Sequence, residues 1–190
     1  MSYPIFEDQV FEKLDFSAKA FPTAEYESCE FKHCNLSGTD LSNCQFTDCT
    51  FIGCNISNAN LRNTALRDVQ FNDCKLLGLH FDDCNDFLFD AKFTNCNLHL
   101  SSFYQRKMRL AKFSNCDLQE TDFSMAELVH ATFDQCNFAG AVFDATNLEN
   151  ADLRTSYQFN INPSTNKIKK ARFSKDSLEG LLNHLDIIIE

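Results

Sequence analysis

Residues 44–63 read CQFTD CTFIG CNISN ANLRN. Written in fives, each group carries a large apolar residue in third place: Phe46, Phe51, Ile56, Leu61. The first place holds a small residue, Cys44, Cys49, Cys54 or Ala59, and the other places are mainly polar. A period of five fits neither an α-helix, at about 3.6 residues, nor a strand, at about 2. Two inward side chains two residues apart make a three-residue piece of strand, and the remaining two residues turn a corner. Four such units close a square coil of about twenty residues, and coils stack at the inter-strand spacing of about 4.8 Å.

Working outward, the large positions run without a miss from Phe6 to Phe81 and, shifted by two residues, from Leu88 to Leu153. From Cys29 to Cys74, and again from Ala91 to Ala151 apart from Arg106, the position two before each is small, as at Cys29, Cys34, Thr39, Cys74, Cys96, Ser101, Cys116, Thr121, Ala126 and Cys136. Stacked coils place Phe11, Phe31, Phe51 and Phe71 on one face and Phe103, Phe123 and Phe143 on another, ladders that fill a narrow core. The chain therefore divides into a first β-helix segment, 1–84, a two-residue register break at 85–87 (Asn85, Asp86, Phe87), a second segment, 88–153, and a C-terminal part, 154–190. A bulge and kink are expected at the break.

The pattern resembles the pentapeptide repeat family, with units close to A(D/N)LXX at Ala59–Asn63, Cys116–Glu120, Thr121–Met125 and Ala151–Thr155. The resemblance covers residues 6 to 153 and implies an all-β fold, a right-handed quadrilateral parallel β-helix. Solenoid ends need caps. Residues 154–171 include the turn-rich stretch Asn160–Asn166. An α-helix follows, capped at Asp176 with Glu179 three residues on, and a short β tail closes the chain. Leu178, Leu181, Leu182, Leu185, Ile187, Ile188 and Ile189 are read either as a cap or as a homodimer interface. The ending also resembles that of Qnr-type and mycobacterial gyrase-interacting members, which pair tail to tail.

Composition agrees with a repeat. The 190 residues are 44% apolar with 20 Phe, no Trp, 5 Gly and 3 Pro, so corners must turn without the usual turn residues. The formal charge is −10, which argues against direct nucleic-acid binding. Residues 1–153 carry 23 acids and 11 bases, while the tail holds 6 bases and 4 acids. No apolar run is long enough for a transmembrane helix, and the start lacks a signal-peptide pattern, so a cytoplasmic location with no membrane partner is expected.

No catalytic, cofactor or metal constellation is legible. Cys29-x-x-x-His33-Cys34 resembles a zinc fragment, but the cysteines point inward and His33 outward, so they do not converge. The ten cysteines read as reduced, buried, structural thiols. Arg106 breaks the pattern, falling on an inward position. Either it finds a carboxylate, or the coil bulges and points it out. With Lys107 and Arg109 it marks a candidate interaction spot. About seven coils of about 4.8 Å give a rod near 35 Å, close to one turn of duplex DNA. The resemblance adds a function for an acidic rod of this length: a DNA mimic that binds DNA gyrase or another type II topoisomerase. The Qnr-type members carry large loops associated with quinolone protection, and this chain has none. The other reading is a protein-interaction or scaffold rod, not an enzyme.

Overall fold

The computed structural model describes residues 3–87 and 89–188. Leu88, expected inside, and Ile189, expected in the tail, lie outside the described residues. Pairing is parallel throughout, and partners lie one coil apart: Phe11 faces Phe31, and Phe31 faces Phe51. One sheet stacks β1 (Ile5–Glu7), β3 (Glu25–Glu27), β5 (Gln45–Thr47) and β7 (Ala65–Arg67). The adjacent face stacks β2 (Val10–Glu12), β4 (Glu30–Lys32), β6 (Thr50–Ile52), β8 (Val69–Asn72), β9 (Ala91–Thr94), β10 (Lys112–Ser114) and β11 (Thr132–Asp134). The two remaining sides make isolated parallel bridges, such as Asn35 to Asn55 and Asp40 to Asn60.

Local chemistry decides which sides become strands. Where Asp or Asn precedes the large residue, its Oδ1 accepts the amide two residues on, as Asp40 does from Ser42 and Asn55 from Ser57. That Asx turn bends the chain early. Where Gln45 or Thr50 stands there instead, the segment stays extended. After most large residues, a corner residue sits in the left-handed region, φ near 50–70°, with Asp48, Asn58, Asn63 and Asp73 among them. Asp and Asn tolerate that conformation, so the rod turns its corners with 5 Gly.

The interior follows the repeat. Phe11, Phe31, Phe51, Phe71, Phe93, Phe113 and Phe133 stack face to face with centroids 4.7 to 5.4 Å apart. A second column, Phe81, Phe103, Phe123 and Phe143, stacks at 4.6 to 5.3 Å. Each contact contributes roughly 0.5–1.5 kcal/mol beyond area burial. Small inward residues also hydrogen-bond. The Sγ of Cys54 donates to the carbonyl of Phe31 at 3.3 Å, and Thr64 Oγ1 to that of Leu41 at 2.8 Å. Ser101 and Ser156 do the same to Leu76 and Phe133. The position therefore suits a small donor, and Ala and Val69 fill it by size alone.

The register break does not interrupt the second face. β8 pairs with β9 at an offset lengthened by two residues, Val69 to Ala91, and the phenylalanine column passes through. Coil stacking also continues beyond Leu153, with bridges from Asn147 to Lys167 and Asp152 to Arg172.

The C-terminal helix corrects the expectation. It is not α-helical: Lys175–Leu181 and Asn183–Leu185 are 3₁₀. The cap is Ser174, whose Oγ accepts the Asp176 amide at 3.0 Å, not Asp176. Gly180 explains the geometry, because a Cβ there would lie 2.3 Å from the Phe159 carbonyl. Its own carbonyl accepts the Ile161 amide at 2.9 Å. The helix thus bonds through its backbone to the last coil. The described part of the tail, Asp186 to Ile188, forms no strand.

Candidate functional site at the register break

Arg106 takes the inward position of the coil above the break, and its side chain is 2% exposed. The coil does not bulge outward there. Nη2 donates to the carbonyls of Cys84 at 2.7 Å and Asp82 at 2.9 Å, and Nη1 to Asn85 O at 3.4 Å and Asp86 Oδ1 at 2.8 Å. The guanidinium also lies 4.8 Å from the ring centre of Phe89. Main-chain carbonyls that the inserted residues pull out of the coil ladder are gathered by one planar donor. This corrects the sequence reading of Arg106 as part of a surface spot: it is buried, with both terminal nitrogens fully engaged. Lys107 and Arg109 alone are exposed there.

Asn85 remains tied to the coil below, through its amide to Thr64 O at 2.9 Å and its Nδ2 to Asn63 Oδ1 at 3.1 Å. Its Oδ1 accepts the Phe87 amide at 2.8 Å. The departure from the coil therefore begins at Asp86. Phe87 is 65% exposed, with Arg67 over its ring at 5.7 Å. Sequence reasoning found the insertion and the arginine separately. Their separation of one coil, Asp86 to Arg106, was the signal that they form one unit.

Beside the break a cavity of about 760 Å³ opens, lined by residues of several coils, among them Arg67, Phe89, Lys92, Lys107, Arg109 and Lys112. Lys92 pairs with Asp68 at 2.6 Å. Elsewhere the surface is acidic. The Ser42 hydroxyl and amide hold the Asp40 carboxyl below the usual carboxylate range, and Ser17 does the same for Asp15. The turn-forming acids are thereby kept charged.

At the far end, Leu181 packs against the core, and Leu182 is half-buried. Leu178, Leu185, Ile187 and Ile188 are exposed, Ile188 by 89%.

All ten cysteines are buried and free. Cys34, Cys54, Cys74, Cys96, Cys116 and Cys136 form one column, whose Sγ atoms up to Cys116 donate to phenylalanine carbonyls one coil back. Burial pushes the Cys44 thiol up to about 11 and the Cys49 and Cys84 thiols up to about 12. No group of three or more His, Cys, Asp or Glu suited to a metal occurs among the described residues, and His33 sits outward at a corner. No helix among them is long and apolar enough to cross a membrane.

Comparison with solved structures supports the fold. HetL, a pentapeptide repeat protein involved in heterocyst differentiation regulation from the cyanobacterium Nostoc sp. strain PCC 7120, is similar with a TM-score of 0.65 at 17% identity, covering 93% of this chain and 87% of that one. QnrB1, a plasmid-mediated fluoroquinolone resistance protein, aligns over 96% of this chain and all of its own at 18% identity, with a TM-score of 0.49. Comparison with curated proteins finds no match. The family model described as a pentapeptide repeat region matches residues 24–86 and 87–181, and the chain belongs to that family.

Proposed function

We propose that this protein is a non-catalytic interaction rod that imitates duplex DNA and binds the DNA-binding cleft of a type II topoisomerase, DNA gyrase in particular. The observation that carries the reading is charge per length. Residues 1–153 carry 23 acids and 11 bases, a net charge of −12. Spread over a rod of roughly 35 Å, this is about one net charge per 3 Å, within about twofold of the one per 1.7 Å of duplex DNA. Such a field attracts a cationic cleft shaped for DNA. The break adds only two residues to the coil, so the reading is mimicry without the long loops of the quinolone-protecting type. A homodimer joined through the exposed apolar residues of the C-terminal end belongs to the same proposal, since it would double the rod.

The test is gyrase supercoiling with the purified full chain at micromolar concentration. Inhibition that weakens as salt is raised supports the proposal, because mimicry rests on screened charge. Normal supercoiling at low and moderate salt refutes it. A scaffold rod with a different partner is the second reading, favoured by the apolar C-terminal surface of Leu178, Leu185, Ile187 and Ile188.

A further inference from the structure

The groove at the break has a chemistry opposite to that of the rod. β7 is the last strand of its sheet, whereas the adjacent face continues from β8 to β9 and beyond. One side of the rod is therefore interrupted while its neighbour is intact, and the interruption opens the 760 Å³ cavity. Arg67, Lys107, Arg109 and Lys112 line it, and none makes an ion pair among the described residues. The Nε of Arg67 is buried without a hydrogen-bond partner. Arg67 is tied through Nη1 to Gln45 Oε1 at 3.3 Å and lies over Phe87, so on a chain of net charge −10 Lys107, Arg109 and Lys112 form the concentration of unpaired cations.

The lining also has an apolar part. Leu110 is 67% exposed and sits at a corner with φ 64°. Exposed apolar corners also occur at Leu100 and Met125, but Leu110 is the one that lies on the groove lining. A leucine held outward there offers an apolar contact between Arg109 and Lys112. Phe89, half-buried under Arg106, supplies a second.

We propose that this groove binds an extended acidic segment of a partner protein. Its carboxylates meet Lys107, Arg109 and Lys112, and an apolar side chain of the segment lies on Leu110 and Phe89. The backbone runs beside the interrupted sheet, as added strands do. A long nucleic acid is disfavoured because it would overrun the acidic surface on every side, including Asp48 and Asp90 on the groove's own rim. A short segment with mixed acidic and apolar side chains satisfies both parts of the lining.

The experiment is fluorescence anisotropy of the fluorescein-labelled peptide Glu-Leu-Glu-Tyr-Glu-Leu-Glu with the full chain. Saturable binding is expected, weakened by about tenfold or more in Arg109→Glu and Lys112→Glu. Leu110→Asn, which suits the corner, weakens it several-fold. Lys75→Glu, which reverses an exposed charge outside the groove, leaves it unchanged, and circular dichroism verifies that each variant is folded. Absence of saturable binding overturns the proposal, as does equal weakening by Lys75→Glu. Displacement by tripolyphosphate together with indifference to Leu110→Asn also overturns it, showing a mere anion site. The result is independent of gyrase inhibition, so either proposal can fail alone.

Discussion

Arg106 is held by four acceptors, and their environments separate two explanations for its burial. Asp86, its carboxylate partner, is 97% exposed, so water screens that attraction and the pair alone contributes little. The carbonyls of Asp82 and Cys84 have no such recourse, and each buried acceptor left unpaired costs roughly 1–3 kcal/mol. Arg106→Met is therefore expected to destabilise the protein by about 3 kcal/mol or more in chemical denaturation, with new proteolytic cleavage at residues 86–90. Asp86→Asn should leave the denaturation midpoint nearly unchanged. Equal effects of the two substitutions would make the ion pair, rather than the carbonyls, the reason for the arginine. At this scale the sequence was half legible. An arginine on an inward position announced that something must receive it, but periodicity describes side chains and is silent on main-chain carbonyls displaced by an insertion.

The thiol column shows what a repeated element adds to a single residue. From Cys34 to Cys116 each cysteine of the column is a small inward filler whose Sγ–H serves a carbonyl of a neighbouring coil, which is why Ser and Thr take the same position at Ser101, Thr121 and Thr146. Burial raises the thiols of Cys44, Cys49 and Cys84 to between about 11 and 12, from the ordinary 9.0. At these three thiols the folded chain binds more protons than the unfolded chain once the pH passes 9. The stability they contribute is complete below that pH and falls as pH rises toward 11–12. Equilibrium denaturation between pH 8 and 11 should show this loss, and replacing Cys44 and Cys49 by Ser should flatten it. In parallel, a thiol reagent should leave all ten cysteines unmodified in the native protein at pH 8 and label them on unfolding. Rapid native labelling would contradict the buried column. The elements themselves were legible wherever the period of five held, because it states which side chains face in. The C-terminal helix was less so. The leucine spacing at Leu178, Leu181, Leu182 and Leu185 matches an α-helix, but Gly180 lies against Phe159, a contact between parts that pattern does not connect.

For the whole molecule, the C-terminal end both closes the rod and presents an apolar surface. At the C-terminal end, Gly180 and Leu181 close the last coil, leaving Leu178 and Ile188 outward. Those two roles can be separated by substitution. Analytical ultracentrifugation should give about twice the 21.7 kDa chain mass. Leu178→Asp and Ile188→Asp should return it to the single-chain value without lowering the melting temperature. A monomeric wild type refutes the dimer. Leu181→Asp is the weaker probe, since it would disturb the cap as well as any interface. Lys107 and Arg109 were legible as a basic spot beside Arg106, but the groove they line was not, because Arg67 and Lys92 join them only through coil stacking across a register change.

The clamp at Arg106 also bears on how the rod comes apart. In a solenoid each coil leans only on its immediate neighbours, and fraying from an end proceeds rung by rung. At Asp86 the rungs are joined by a side chain that gathers carbonyls from Asp82, Cys84 and Asn85 at once. Unzipping from the N-terminal end reaches there a knot that must release several bonds together, making the longest-lived partly unzipped form one that retains the coils above Arg106.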